Sequence, residues 1–413
     1  MKRADQSTLE WLRKLDYRIV ILLGILLYYA VYWGSFKNFT ASIDHNNSTF
    51  PDFATFYYPA GEAILQNETL PDSFYYSVFA AILFLPFAFF PPAIALILWG
   101  IVQFSFIFIL FLTYAQKLPK KPDIGYVLTF IFFTNAALLN NLKWGQVSTL
   151  IFWGTFTAFL FYEQNKQTLS AIVLGIVIAV KFFPAIFLLY FFFRRDWKYL
   201  FVCLFVVLLC VLVIPAMVIG PSETIQSQLM ISEHATAMMR ALAMDNIDSQ
   251  YFASVITRIM YMPITSQFTK ILIIAGYLIA ASAVYLVYRI SEAQIEYSAF
   301  WAWGILSATI PFWIPSAWPH YFVYLPFLQV LAYCHISNIN LRWRKPAIVL
   351  WIFSLTFSSI FITHIVQNWF RYVGFGSLFW SSIFILTVIL IILLPNLAKR
   401  NTQSCSENFS PSP

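Results

Sequence analysis

Runs of apolar residues long enough to cross a lipid bilayer recur along the whole of this chain, with plain examples at residues 19–35, 199–219 and 374–394. A helix needs about 20 such residues to span the hydrocarbon core. Within that core each backbone N–H and C=O has to be satisfied without water, and a helix does this inside its own segment. Composition agrees: 60% of the 413 residues are apolar and only 10% are charged. A soluble fold of this length would need far more charge to cover its surface. The expected fold class is therefore an all-α polytopic membrane protein.

Other classes fall away on specific grounds. The net charge of +7 is small for the length, and no basic cluster is interleaved with exposed aromatics, so nucleic acid is not an expected partner. Cys203, Cys210 and Cys334 lie inside apolar runs and Cys405 lies in the tail, a placement that suits neither disulfides nor metal binding. Lys2, Arg3, Arg13, Lys14 and Arg18 precede the first apolar run as in a signal sequence. No small-residue cleavage pattern follows, so that run reads as a retained first helix.

Basic residues set the expected orientation. Clusters at Lys117/Lys120/Lys121, Arg194/Arg195/Lys198, Arg342/Arg344/Lys345 and Lys399/Arg400 mark cytoplasmic loops. Crossings are then expected at 19–35, 93–115, 124–140, 146–162, 199–219, 268–288, 298–315, 320–335, 346–366 and 374–394. Both termini fall in the cytoplasm. Residues 36–92 and 220–267 form extracytoplasmic loops, and the first of these carries an interfacial or re-entrant stretch after Tyr75. The run 168–193 satisfies the charge rule only as two half-helices broken at Lys181-Phe182-Phe183-Pro184. Proline removes a backbone donor and disfavours helix at the preceding residue. The expectation is roughly ten full crossings plus half-helices in one transmembrane domain, 1–398, with a polar, disordered cytoplasmic tail at 399–413.

Polar residues gather on the extracytoplasmic side of this path. Asp52, in the aromatic stretch after the first helix, is a candidate general base or an N-cap for a helix starting near Ala54. Lys181, deep in an apolar run, would bind an anion such as phosphate or else snorkel to the interface. Asn140, Asn141, Lys143 and Gln146 form a turn that would hydrogen-bond sugar or phosphate, or simply be solvated. His320, between Pro319 and Tyr321, would relay a proton or sit in an aromatic belt. Asp245, Asn246, Asp248, Ser249 and Gln250 read as solvated loop. The sequence shows no metal-ligand spacing, nucleotide-binding glycine loop or serine-nucleophile motif.

The ordered set of motifs resembles glycosyltransferase family 87, polyprenol-phosphate-mannose-dependent mannosyltransferases of GT-C architecture. The resemblance lies in Asp52-Phe53 with Tyr57-Tyr58, Asn140-Asn141-Leu142-Lys143-Trp144-Gly145-Gln146, Lys181-Phe182-Phe183-Pro184, and Ser316-Ala317-Trp318-Pro319-His320-Tyr321. Residues 246–254 match a middle polar motif loosely. Asn67-Glu68-Thr69-Leu70-Pro71 departs from the family's usual glycine and tyrosine and leaves sugar and acceptor open. The resemblance implies Asp52 as base, with His320 a second candidate for the proton. It implies Tyr57, Tyr58, Asn141, Lys143, Gln146, Lys181, Asn246, Gln250, Ser316 and Trp318 as substrate-binding residues. The implied reaction is an inverting single displacement. A hexose, by resemblance mannose, would pass from a polyprenyl-phosphate sugar donor to a glycolipid or glycan acceptor, at the extracytoplasmic face of the cell membrane. Neither cofactor nor metal is expected. The competing reading is a transporter or flippase, although no internal repeat supports it.

Overall fold

The structure is a computed structural model that describes residues 50–118, 124–241, 246–293, 295–365 and 368–407. The crossing expected at 19–35 and the basic N-terminus lie outside the described residues. Every regular element among those described is helical.

The chain enters through a π-helical turn, Phe53–Tyr57, that runs directly into α1, Tyr58–Gln66. Helix α2, Val78–Ala88, starts where the Ser77 hydroxyl accepts from the Ala80 N–H at 3.2 Å. It ends before Pro91, and Pro92 opens α3, Pro92–Ala115, at the position where a missing N–H costs nothing. Next come α4, Ile124–Thr134, α5, Ala136–Trp144, α6, Ser148–Glu163, and α7, Gln167–Val180. A 3-10 turn, Phe183–Phe187, leads into α8, Leu188–Phe193. Helix α9, Trp197–Leu208, continues through a π turn into α10, Ile214–Ile219. Residues 220–267, expected as loop, hold α11, Pro221–Ala241, and α12, Phe252–Ile259. The remaining helices are α13, Gln267–Glu292, α14, Ser298–Ala308, α15, Ile310–Trp313, α16, Leu325–Ile336, α17, Leu341–Ser358, α18, Ile360–Ile365, α19, Trp369–Gly374, and α20, Ser377–Glu407.

Four helices among the described residues are long and apolar enough to cross a membrane: α3, the run Trp197–Ile219, α13, and Ser377–Pro395 of α20. Phe201, Phe205, Ile271 and Leu278 on these helices are each more than half exposed, a surface that suits lipid and not water. The 146–162 run forms α6 unbroken but only 16 residues long, and the remaining apolar runs are interrupted. Asn135 divides the 124–140 run by capping α5, its side chain accepting from the Leu138 N–H at 3.0 Å. Ser359 divides the 346–366 run in extended conformation. These two interruptions meet in an isolated antiparallel bridge, Asn135 to Ser359, so each supplies backbone partners that the other's broken helix lacks. Thr309 divides the 298–315 run just before Pro311, and the 320–335 run opens with a 3-10 turn, Pro319–Phe322. Helix α20 continues beyond Lys399 to Glu407, so most of the segment expected as disordered tail is helical. Extending an existing helix needs no new nucleus.

The expected break at Lys181 is present. Helix α7 stops at Val180, and Lys181 is extended, with φ −148° and ψ 123°. Pro184 sits in the 3-10 turn that follows.

Two apolar clusters carry the packing. The larger surrounds Trp301, Trp303 and Phe327; within it Tyr114 donates to the Phe327 carbonyl at 2.5 Å and Trp303 to Thr155 Oγ1 at 2.9 Å. Polar contacts also join helices here: Gln329 on α16 donates to Ser354 and Ser358 on α17, each at 2.9 Å. The second cluster stacks Phe53 on Trp99 at 5.2 Å and Tyr57 on Phe84 at 4.6 Å. It anchors the π-helical turn against α2 and α3. Gly61 lets α1 lie against the α2 backbone, because a Cβ there would sit 2.7 Å from the Phe84 carbonyl oxygen. Gly61→Ala is expected to cost about 1–3 kcal/mol through overpacking. It should lower the thermal unfolding midpoint of the purified protein in lipid nanodiscs.

Candidate functional site

The site is assembled around one turn. Helix α5 ends at Gly145, whose φ of +67° is left-handed, and the next N–H, that of Gln146, returns to the Asn141 carbonyl at 3.0 Å. This Schellman-type ending needs glycine at that position. Space demands it as well: a Cβ on Gly145 would lie 2.6 Å from Phe50 Cβ. Two side chains one turn apart on α3 then grip successive carbonyls of the turn. Trp99 Nε1 donates to the Gly145 carbonyl at 2.8 Å, and Gln103 Nε2 donates to the Gln146 carbonyl at 2.6 Å. Gln103 Oε1 accepts in turn from Asn141 Nδ2 at 3.1 Å and from Thr149 Oγ1 at 3.3 Å.

The turn aims Gln146 at Asp52. Gln146 Nε2 donates to Asp52 Oδ2. Its Oε1 faces two phenols, Tyr57 at 2.8 Å and Tyr76 at 3.1 Å. An ionised carboxylate can only accept, so Asp52 fixes the amide with its nitrogen toward the carboxylate and its oxygen toward the phenols. Tyr76 Oη also accepts from Lys181 Nζ at 3.4 Å. A continuous polar chain thus runs from Lys181 through Tyr76 and Gln146 to Asp52. Asp52 is helical in backbone and its side chain caps no helix, which removes the N-cap alternative. It begins a π-helical turn, a distortion often found at functional sites.

Lys181, freed by the helix break, projects among aromatic rings, with Nζ 4.2 Å from the Tyr321 centroid and 5.0 Å from that of Tyr76. It forms no ion pair with Asp52 among the described residues, yet its charge is felt there. Burial raises the Asp52 carboxyl to about 7, while the hydrogen bond from Gln146 and the Lys181 charge pull it down.

Two further segments close the site. The 3-10 turn Pro319–Phe322 packs against α5 and brings in His320, which is buried beside Tyr321. The 246–250 loop begins with an Asx turn, Asn246 Oδ1 accepting from the Asp248 N–H at 2.8 Å. It is tied to the 315–317 turn by Gln250 N–H to the Ala317 carbonyl at 2.8 Å and by Ser249 Oγ to the Pro315 carbonyl at 3.0 Å. Arg258 on α12 holds the loop from behind, donating to the carbonyls of Asn246 at 3.1 Å, Ser249 at 2.6 Å and Gly374 at 3.2 Å.

Together these elements enclose a cavity of about 490 Å³. Of the residues expected from sequence, Asp52, His320, Asn140, Gln146, Lys181, Asn246, Ser316 and Trp318 line it. The others do not. Tyr57 stands behind Gln146, and Tyr58 donates to the Phe90 carbonyl at 3.1 Å. Asn141 is turned into the bundle toward Gln103 and Thr149, because one helical step of about 100° separates it from Asn140. Lys143 is exposed at the end of α5. Gln250 is fully buried and donates to the Val373 carbonyl at 2.9 Å, a structural use of its amide.

Sequence reading missed Tyr76, Trp144 and Tyr321 as lining residues, and it passed over Asp248, which also lines the cavity. It also missed the supports Gln103 and Arg258. A glutamine within the apolar run of α3 was the available signal for Gln103, since a polar group at that depth needs a partner. Nothing local marks Arg258, whose partners are carbonyls distant in sequence. Chemically, the cavity sets a carboxylate able to take a proton near a cation able to hold an anion, with a histidine beside them.

Two outcomes follow for the purified protein. Infrared difference spectra should show a protonated carboxyl band below about pH 7 that is lost above it and absent in Asp52→Asn. Gln146→Leu removes a contact that favours the ionised form, so the same band should persist to higher pH. Gln103→Leu takes the donor from the Gln146 carbonyl and an acceptor from Asn141 and Thr149, and is expected to cost about 1–3 kcal/mol, read as a lower unfolding midpoint.

The sequence profile of glycosyltransferase family 87 matches residues 74–317, more than half of the chain. The matched span includes Tyr76, Gln146, Lys181 and Ser316; Asp52 and His320 flank it. No curated protein and no solved structure gives a significant match.

Proposed function

The chain belongs to glycosyltransferase family 87, and from that premise we propose that it moves a hexose from a polyprenyl phosphate to a hydroxyl of a glycolipid or glycan. Resemblance points to mannose as the sugar. The reaction is read on the extracytoplasmic face of the cell membrane, within a GT-C type bundle whose termini are cytoplasmic. The observation that carries this reading is the shared cavity of Asp52 and Lys181, linked through Gln146 and Tyr76 but not ion-paired with each other.

In the proposed step, Asp52 takes the proton of the acceptor hydroxyl as its oxygen attacks the anomeric carbon. The bond from that carbon to the phosphate oxygen breaks, and polyprenyl phosphate leaves with the electron pair. Attack opposite the leaving group inverts the configuration. Base and leaving group then need separate places on either side of the sugar, and a base ion-paired to the phosphate-binding cation would not provide them. A carboxyl held at about 7 by burial suits a base that is ionised near neutral pH and still basic enough to accept a proton. Lys181 meets the charge that grows on the leaving phosphate. Gln146 orients Asp52 and leaves its second oxygen for the substrate. His320 is the alternative acceptor of the proton. Lys181 already supplies positive charge to the leaving group, so the proposal requires no divalent ion and no cofactor. The transporter reading gains no support from a family of glycosyltransferases.

The test is transfer from polyprenyl-phosphate-mannose to a panel of glycolipids by the purified protein in nanodiscs. Asp52→Asn is expected to lower kcat about 10²–10⁴-fold. Lys181→Gln should weaken transfer and donor affinity together. Because Asp52 must be ionised, the rate should fall as pH drops through about 7, and Gln146→Leu should move that limb upward. Activity should survive chelation with EDTA. Full activity in Asp52→Asn with loss in His320→Gln would hand the proton to His320. No transfer from any lipid-linked sugar would overturn the proposal.

A further inference from the structure

The cavity contains a second carboxylate that the chemistry above leaves unused. Asp248 lines the same wall as Asn246 and Trp318, on the loop fixed by Arg258. The Trp369 indole donates to its carboxylate, and the charges of Arg258 and Lys143 reach it. Its Oδ1 is nevertheless buried and makes no hydrogen bond among the described residues. Asn140, at the end of α5, is 7% exposed and lines the cavity too, and its Oδ1 is likewise buried without a partner.

Two buried acceptor oxygens without donors are costly in a folded protein, at about 1–3 kcal/mol each, unless something else supplies the donors. Both oxygens only accept, which favours O–H donors over phosphate, while the Asn140 amide nitrogen adds a donor suited to a hydroxyl oxygen. Trp144 and Trp318 add flat apolar faces to the same cavity. Its polar character is therefore divided. Lys181 offers a cation for the leaving phosphate, whereas Asp248 and Asn140 offer acceptors for a neutral, hydroxyl-rich group. Asp248 also feels the charge of Lys143, an exposed residue beside Trp144.

We propose that Asp248 and Asn140 form the subsite that orients the acceptor, receiving hydrogen bonds from hydroxyls next to the one that attacks. This rests on the transferase reading for the identity of the attacking group. The subsite selects an uncharged polyol, such as a sugar ring, and disfavours an acceptor carrying phosphate beside its reactive hydroxyl.

Methyl α-mannoside and its singly deoxygenated derivatives serve as probes, with the full chain in nanodiscs. Saturation-transfer NMR reads binding, and transfer from polyprenyl-phosphate-mannose reads kinetics. Asp248→Ala and Asn140→Leu should each raise the KM for methyl mannoside about tenfold and leave the donor KM within about twofold. Asp248→Asn, which keeps a carbonyl acceptor, should fall between. At least one deoxy derivative should be discriminated by the native protein and accepted equally by Asp248→Ala. Equal changes in both KM values, or an unchanged acceptor KM with a lowered kcat, would overturn the subsite. Binding of methyl mannoside that is lost in Asp248→Ala, with no transfer from any donor, would uphold the subsite and remove the transferase reading. Unfolding midpoints within a few degrees of the native protein exclude misfolding as the cause of either change.

Discussion

The grip of Trp99 and Gln103 on the carbonyls of Gly145 and Gln146 is the contact on which the site's geometry depends. A helix end is ordinarily its least ordered part, with carbonyls left for solvent. Here two donors on a neighbouring helix take those carbonyls, and glycine supplies the left-handed backbone. The Gln146 side chain then has one usable direction. Its oxygen meets two phenols and its nitrogen meets Asp52. Precision at the carboxylate is thereby inherited from the packing of α3 against α5 and α6, and not from a flexible loop.

The same logic governs the interruptions. A membrane helix that stops early exposes backbone groups to a medium that cannot satisfy them. In this protein the stops are compensated in pairs or by side chains. Asn135 and Ser359 bridge each other, Ser77 accepts at the start of α2, and its hydroxyl donates to the Ala179 carbonyl near the end of α7. That last contact lies two residues before Lys181, so the start of α2 and the break that releases Lys181 are fastened together. The break is part of the architecture of the cavity, with Tyr76 on one side of the ammonium and Tyr321 on the other.

Across the cavity the 246–250 loop depends on a cation in a different way. Arg258 does not face substrate; its guanidinium satisfies three carbonyls from two separate segments. Five N–H donors in a rigid fork suit that task, and lysine could not reproduce it. The loop so held carries Asp248, which lines the cavity and keeps one buried oxygen without a partner among the described residues.

Much of this was legible in the residues. Apolar runs dictated an all-helical membrane protein, because lipid leaves a helix few alternatives, and Pro184 after an intramembrane lysine dictated a break. Asp52, Lys181 and His320 stood out because each is a polar residue among apolar or aromatic neighbours, and Gln146 because it belongs to a polar turn between apolar runs. The sequence could not say that runs at 124–140 or 346–366 would be divided, since Asn135 and Ser359 bridge only after the bundle forms. Nor could it choose between Asn140 and Asn141, adjacent residues of one type. Helical rotation sends the first to the cavity and the second to Gln103, a partner 38 positions away. Hydropathy is a local property and fixes the kind of element. Which polar atom meets which depends on partners brought from distant helices, and only tertiary packing decides that.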